Sequence, residues 1–244
     1  MPVHIIRGGY ANTYLIEEGD SFVAVDVGTS SAAKRIYQYL SHRSVDAASL
    51  RMVTATHFHI DHVAGISGIV HLFPKTRVCF FTMAGDYLEG KDKICLFSST
   101  AWLKGLLPVL MAEDDHLKNT AAALRSDKVA IPLPFLRRLL PSHYKAECIL
   151  DEDQFIRYLP HWKLIKTPGH TPDSVCLYSR DERTLISGDT ILNMKGSGEL
   201  NSFCCDGDTI KESFKKLSAL TIKNIYPGHG KPLCNVDGLA SVAQ

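Results

Sequence analysis

The segment His57-Phe58-His59-Ile60-Asp61-His62 places three imidazoles and one carboxylate within six residues. It directly follows an apolar stretch, residues 50–56, that has the composition of a buried β-strand. Along an extended chain alternate side chains project to the same side, so we expect His57, His59 and Asp61 to face one point. Imidazole nitrogen and carboxylate oxygen are the ligands that suit zinc at hydrolytic sites, and iron and manganese are also compatible. The spacing therefore predicts a metal site at the end of a strand.

Three later turns carry further candidate ligands. They are TPGHT at residues 167–171 with His170, SGDT at residues 187–190 with Asp189, and PGHG at residues 227–230 with His229. In each turn the ligand follows a predicted strand end, and the glycine before it permits a sharp bend that aims the side chain. A single histidine is more often an ordinary core or surface residue. Because chance would have to supply all of these segments together, we interpret them as parts of one site.

Taken together, these motifs resemble the metallo-β-lactamase superfamily, and the resemblance covers nearly the whole chain outside residues 85–144. With NTYLI at residues 12–16 and DVG at residues 26–28, the motifs are most similar to the glyoxalase II branch. Asp189 differs from the true zinc β-lactamases, which typically have a cysteine at this point. The resemblance implies an α/β fold, namely an αββα sandwich in which two β-sheets pack face to face with helices outside.

The resemblance also implies two divalent metal ions, with Zn²⁺ as the first expectation and Fe or Mn as alternatives. It assigns three ligands to the first ion, three to the second and one bridging carboxylate to both: His57, His59 and His170; Asp61, His62 and His229; and Asp189. A hydroxide bound between the ions would attack the substrate, and one ion would polarise the attacked group's oxygen. Asp61 and Asp189 are the expected catalytic carboxylates. Asp26 is equally well explained as an ordinary turn residue or as a hydrogen-bond acceptor for a ligand histidine.

The pattern of apolar residues predicts a single domain over residues 1–244. The expected elements are a meander at residues 3–26, helices at 31–41 and 208–220, and strands at 50–56, 77–82, 154–159, 162–167, 174–179, 184–187 and 224–226. Residues 85–144 differ, because helical patterns and prolines dominate there, and we predict an inserted helical subdomain. Its apolar residues would form a lid that selects an acyl or other hydrophobic group. The insert's own core or a contact in a homodimer explains them equally well.

Composition limits the partners. Lys and Arg number 27 against 26 Asp and Glu, so no basic field favours nucleic acid. No stretch approaches the roughly twenty apolar residues that span a bilayer, so we expect no stable membrane insertion. The start of the chain has no readable secretory signal. The seven cysteines are odd in number and lack CxxC spacing. This argues against a disulfide framework and a thiolate zinc site, and it favours a cytoplasmic location.

The leading hypothesis is a dinuclear metal-dependent hydrolase that cleaves an ester-like bond in a small molecule. Thioesters, lactones and carboxylic esters all remain open, and an apolar acyl group would suit the insert. One alternative is a mononuclear iron persulfide dioxygenase, whose last ligand segment usually differs from PGHG. A phosphodiesterase or nuclease is disfavoured by the balanced charge. A catalytically silent binding protein of the same fold is disfavoured by the complete ligand set.

Overall fold

The computed structural model describes residues 1–7, 9, 11–81, 83, 86, 87, 95 and 148–243. Its first β-sheet has six strands that lie in chain order. They are β1 (Val3–Ile6), β2 (Thr13–Glu18), β3 (Ser21–Val25), β4 (Leu50–Thr54), β5 (Arg77–Phe81) and β6 (Cys148–Leu150). The first three strands pair antiparallel, and each later strand pairs parallel to the strand before it. Parallel neighbours need crossover connections, and the first two crossovers carry helices.

The second sheet has five strands in the order β13-β12-β9-β8-β7. They are β7 (Trp162–Lys166), β8 (Val175–Ser179), β9 (Thr184–Gly188), β12 (Asn224–Pro227) and β13 (Leu233–Cys234). Only β9 and β12 pair parallel within this sheet. A small antiparallel pair, β10 (Ile191–Leu192) and β11 (Glu199–Leu200), lies between them in the chain.

Helices flank the sheets. They are α1 (Ser30–His42), α2 (Ile60–Val63), α3 (Ile66–Leu72), α4 (Glu152–Phe155) and α5 (Gly207–Ser218), with a short 3₁₀ helix at Ala47–Ser49. Thr29 caps α1 by accepting a hydrogen bond from Ala32 N at 3.1 Å, and Asp206 caps α5 in the same way. None of the described helices is long and apolar enough to cross a membrane.

Three buried clusters show the layers. The central cluster lies between the sheets, where Tyr14 and Val25 pack with Trp162 and Leu177. An outer cluster places α1 and α3 against the other face of the first sheet, and a second outer cluster places α5 against the second sheet. Neighbouring residues of one strand serve different clusters, as expected for a side-chain period of two. The structure confirms the predicted αββα sandwich.

The structure differs from the sequence prediction between β6 and β7. The predicted strand at residues 154–159 is wrong, because α4 begins at Glu152, extends to Phe155 and is followed by a turn. The cap of α4 is Asp151, whose Oδ1 accepts from Gln154 N at 2.8 Å. The buried residues Phe155 and Leu159 are four apart, which is helical spacing rather than strand spacing.

The predicted insert at residues 85–144 lies outside the described residues except for positions 86, 87 and 95. Its role as a lid or dimer contact stays a prediction.

The prediction, from the number and spacing of the cysteines, that there is no disulfide framework is also wrong. Cys95 and Cys205, which are 110 residues apart, form a disulfide with their Cα atoms 6.6 Å apart. Cys79 is disulfide-bonded as well. Spacing along the chain gave no sign of the Cys95–Cys205 bond, since the tertiary fold brings its two segments together.

Candidate metal centre

All seven predicted ligands lie at one end of the sandwich, in the segments that directly follow β4, β7, β9 and β12, with Asp61 and His62 in the short helix α2. These are the carboxyl ends of their strands, the usual place for ligands beside open sheets. The donor atoms form three overlapping sets, and within each set they lie within 4.8 Å of one another. We call His57, His59 and His170 the first group, and Asp61, His62 and His229 the second group. The remaining set, His57, His62 and Asp189, contains one residue of each group and Asp189. The structure therefore brings together side chains that are up to 172 residues apart in the sequence.

The segment from His57 to His62 differs from its predicted extended form. The strand β4 ends at Thr54, His57 and His59 lie in a turn, and α2 begins at Ile60. Asp61 thus reaches the site from the first turn of a helix rather than from the same strand face as His57 and His59. The prediction of a common point therefore holds for His57 and His59, whereas Asp61 lies in a different donor group with His62 and His229.

The first group consists of His57, His59 and His170. Their inner nitrogens converge, because His59 Nδ1 lies 3.1 Å from His57 Nε2 and 3.3 Å from His170 Nε2. His57 and His170 are almost fully buried. A single cation at the centre of these three nitrogens would have three imidazole ligands, which is the arrangement of many zinc sites.

Each outer nitrogen of the first group faces an oxygen. His57 Nδ1 lies 3.2 Å from Thr56 Oγ1, His59 Nε2 lies 3.1 Å from the carbonyl oxygen of Cys95, and His170 Nδ1 lies 2.7 Å from the carbonyl oxygen of Phe203. Donation to an oxygen by the outer N–H leaves the lone pair of the inner nitrogen free and fixes the ring. The surroundings therefore prepare all three rings as ligands.

The second group consists of Asp61, His62 and His229. Asp61 Oδ2 lies 3.2 Å from His229 Nε2 and 3.8 Å from His62 Nε2. The outer nitrogen of His62, Nδ1, lies 3.1 Å from Asp26 Oδ2. His62 is fully buried, whereas the side chains of Asp61 and His229 are 20% and 18% exposed. Two of its three side chains are therefore partly open to solvent, as is His59 in the first group.

Asp189 lies between the two groups. Its Oδ2 is 3.5 Å from His170 Nε2 in the first group and 3.4 Å from His229 Nε2 in the second. Its Oδ1 is 3.4 Å from His62 Nε2. One carboxylate therefore reaches ligand atoms of both groups.

The residues present fit a metal. His62 Nε2 and Asp189 Oδ1 are buried, and neither has a hydrogen-bond partner among the described residues. A buried polar atom without a partner costs about 1–3 kcal/mol, so a fold retains such atoms where a ligand satisfies them. Both atoms point towards other imidazole and carboxylate donors, and within the described residues no cysteine belongs to the groups. A donor set of nitrogen and oxygen suits zinc, iron or manganese.

Burial dominates the electrostatics of the first group. It lowers the pKa of His57 well below the ordinary value, with a further contribution from the neighbouring imidazoles. It also lowers the pKa of His170 to about 4. These two rings are neutral at pH 7 and need lose no proton to bind a cation.

The second group has the opposite character. Burial would lower the pKa of His229, but the carboxylates of Asp189 and Asp61 raise it to about 10. In the same way Asp26, Asp189 and Asp61 raise the pKa of His62 against the effect of burial. The two imidazoles in turn hold the pKa values of Asp61 and Asp189 below the ordinary range although burial would raise them. Without a metal, protons on two imidazoles balance the carboxylates, and a cation would displace those protons.

Asp26 connects the two groups. The sequence alone left open whether it is an ordinary turn residue or a hydrogen-bond acceptor for a ligand histidine. Its carboxylate accepts from Thr56 N at 2.7 Å and from Thr56 Oγ1 at 2.9 Å, and Thr56 Oγ1 in turn faces His57 Nδ1. The same carboxylate faces His62 directly. The fully buried Asp26 thus orients one ligand in each group. Sequence reasoning missed Thr56.

Sequence reasoning also missed Asn201 and Asp173. Asn201 Nδ2 donates to the carbonyl oxygen of Asp189 at 2.9 Å, and its Oδ1 accepts from Phe203 N at 2.9 Å. It therefore supports the turns behind Asp189 and His170. Asp173 Oδ2 accepts from Phe58 N at 2.7 Å, between two histidines of the first group. Neither residue lies in a segment whose local pattern indicates such a contact.

Comparisons with known proteins agree with this geometry. The chain is similar to the probable metallo-hydrolase YflN of Bacillus subtilis (strain 168), with 26% identity over 250 residues that cover 95% of this chain and 84% of the relative. It shares 23% identity over 227 residues with the thioesterase pkgB of Emericella nidulans, which is 92% of this chain and 47% of pkgB. Its fold is similar to that of the BLEG-1 B3 metallo-beta-lactamase, with a TM-score of 0.64, 18% identity, and coverage of 96% of this chain and 94% of that one.

The profile of the metallo-beta-lactamase superfamily matches residues 6–229. That span is most of the chain and contains the six residues of the two groups and Asp189 between them. The protein belongs to the metallo-β-lactamase superfamily.

Proposed function

We propose that this protein is a dinuclear metal-dependent hydrolase that cleaves an ester-like bond. The position of Asp189 carries the proposal, because one carboxylate lies within 3.5 Å of ligand nitrogens in both groups. A shared carboxylate holds two ions close together, as two-metal hydrolysis requires. The names of the relatives, a metallo-hydrolase and a thioesterase, support the same class of reaction.

The chain's own residues divide the work. His57, His59 and His170 would hold the first ion, Asp61, His62 and His229 the second, and Asp189 both. Two bound ions would supply a hydroxide at neutral pH and a Lewis acid for the oxygen of the substrate. Asp61 is partly exposed, and its carboxylate can orient the attacking group. Because Asp61, His229 and His59 are partly exposed whereas His57, His62 and His170 are buried, we expect substrate to approach from the side of Asp61, His229 and His59.

The ligand set suits zinc, and the name of one relative, the thioesterase pkgB, points to a thioester. Zinc suits imidazole and carboxylate donors, and iron or manganese would fit the same atoms. A thiolate leaves without a proton, so thioester cleavage needs no general acid. A small thioester with an apolar acyl group, as in the glyoxalase II-like branch, is therefore the first substrate class to test.

The test combines metal content with turnover in one sample. Protein purified without added metal is analysed for its elements and assayed on thioesters, lactones, p-nitrophenyl esters and a phosphodiester, with oxygen consumption measured on a persulfide. We expect about two divalent ions per chain and hydrolysis of an ester or thioester.

His59→Ala should lower metal content and abolish hydrolysis, whereas His71→Ala, which changes an exposed histidine of α3, should alter neither. One iron ion with oxygen consumption would show a dioxygenase instead. Full activity in His59→Ala would contradict the proposal.

A further inference from the structure

The turn that carries His229, residues 227–230, lies tightly against the turn that carries Asp189. A Cβ atom at Gly228 would lie 2.0 Å from Asp189 Oδ1. Gly230 has a φ of +90°, and a Cβ atom there would lie 1.9 Å from the carbonyl oxygen of Asn193. Both positions require glycine, so the imidazole between them depends on how the backbone of the turn is held.

Each carbonyl group of this turn has a hydrogen-bond donor, and Asn12 provides most of them. Asn12 Nδ2 donates to Pro227 O at 2.9 Å and to Gly230 O at 2.8 Å, and Asn12 N donates to Gly228 O at 2.7 Å. The remaining carbonyl, that of His229, accepts from Asn193 N at 3.2 Å. One asparagine amide thus joins the first and last carbonyls of the turn, with the imidazole between them.

These hydrogen bonds reach the turn from the other sheet. Asn12 immediately precedes β2 in the first sheet, is buried, and is 218 residues from Gly230. Tyr14, on β2, donates its hydroxyl to Pro227 O at 2.5 Å. Burial raises the pKa of Tyr14 well above its ordinary value, so the phenol keeps its proton. The first sheet therefore supplies fixed donors to the loop of a candidate ligand on the second sheet.

We infer that Asn12 is a positioning residue for the second metal ion and acts through His229. By holding the carbonyls on both sides it directs His229 Nε2 towards Asp61 Oδ2 at 3.2 Å and Asp189 Oδ2 at 3.4 Å. The inference rests on the proposed two-metal function, since it assigns Asn12 to one of two ions.

The effect of Asn12 is selective for the second group. The outer nitrogens of the first group face Thr56, Cys95 and Phe203, and Asn12 contacts none of these. Loss of the Asn12 amide leaves two buried carbonyls of the His229 turn without that donor. His57, His59 and His170 keep their supports, so the first ion keeps its ligands.

Two substitutions test the inference, and both keep the backbone N–H of residue 12. Asn12→Ala removes the amide, and Asn12→Asp keeps its shape but places carboxylate oxygens against two carbonyls. Competition with a chromophoric chelator measures the affinity for each zinc ion, and circular dichroism verifies the fold. We expect the second ion to bind about 10–100-fold more weakly and the first to change by less than about threefold.

Two comparisons separate positioning from general loss of stability. Asn224→Ala removes an asparagine at the start of β12, where Asn224 Nδ2 donates to Thr184 Oγ1, and should leave the affinity for both ions unchanged. In a His229→Ala background Asn12→Ala should cause no further loss of zinc affinity, because the residue acts through His229. Full additivity in that double-mutant cycle would overturn the inference.

The outcomes distinguish this inference from the proposed function. If the wild type binds two ions and Asn12→Ala binds both with unchanged affinity, the inference alone fails. If the wild type binds a single ion, the two-metal function fails and the inference fails with it. Equal weakening of both ions would show a merely structural role and overturn it. If neither Asn12 variant folds, Tyr14→Phe decides: selective weakening of the second ion supports the inference, and unchanged binding refutes it.

Discussion

The substitution Gly228→Ala tests the geometry of the shared carboxylate. The new Cβ would lie 2.0 Å from Asp189 Oδ1, with the carbonyl carbon of Gly188 only 3.0 Å away. The first distance is more than about 1 Å short of van der Waals contact. Because the backbone of Gly188 blocks retreat on that side, the carboxylate of Asp189 or the His229 turn must move by about that amount.

A displacement of about 1 Å at reacting groups can lower a rate about 100-fold, which corresponds to about 2.7 kcal/mol of transition-state stabilisation. We expect this loss in kcat/KM for whichever ester the wild type hydrolyses, together with weaker binding of metal. Overpacking would lower the free energy of unfolding by about 1–3 kcal/mol, so the variant should still fold at 25 °C.

The matched control is Gly207→Ala at the first residue of α5, where a Cβ meets no atom within 4 Å. This variant should keep wild-type kcat/KM and gain up to about 1 kcal/mol of stability. Steady-state kinetics, elemental analysis and urea unfolding of the three proteins provide the comparison. Wild-type kcat/KM and full metal content in Gly228→Ala would refute the placement of Asp189.

Three further predictions follow from the charges of the site. At pH 8.5, loading the metal-free protein should release at least about one proton, that of His229 with its pKa of about 10, beyond the one that a coordinated water supplies. An imidazole with an ordinary pKa would release almost none at this pH. Calorimetry in buffers of different ionisation enthalpy counts the protons, and release of the water's proton alone contradicts the prediction. The metal-free protein should lose stability as the pH falls from about 6.5 towards 4. The reason is that His57 and His170 have lower pKa values in the folded than in the unfolded protein, so they take up protons on unfolding. Urea unfolding at several pH values should show this decrease in the free energy of unfolding, and a flat profile would disprove it. Asp26→Asn should weaken the binding of both ions about 10–100-fold, as measured by chelator competition. The reason is that Asp26 faces His62 directly and reaches His57 through Thr56. Weaker binding of one ion only would disagree with this arrangement.

The candidate ligands could be picked out from the sequence because each lies in a short segment with its own signature. Three imidazoles and a carboxylate within six residues, or a histidine between two glycines, are visible without knowledge of the fold. The sandwich followed from the family resemblance and from strands whose apolar pattern is strong. Even so, the prediction that Asp61 faces the same point as His57 and His59 was wrong, since α2 begins between them and Asp61 lies in the other group.

The supporting residues could not be predicted, because their function depends on pairing across the fold. Asn12 contacts a turn 215 residues later, and Cys95 is bonded to Cys205. An asparagine before a strand or a lone cysteine has the same local pattern whether or not it makes such contacts. At residues 154–159, β-like composition was misleading because the cap at Asp151 and the spacing of buried residues favour a helix.

The placement of the candidate ligands beside both sheets has a mechanical consequence. His57, His59, Asp61 and His62 lie in the loop and helix α2 that follow β4 of the first sheet, whereas His170, Asp189 and His229 lie in loops of the second. An ion bound by both sets would link the two sheets at this end of the sandwich, and its binding free energy would oppose their separation. Removal of the ions by a chelator should therefore destabilise both sheets together rather than a single loop.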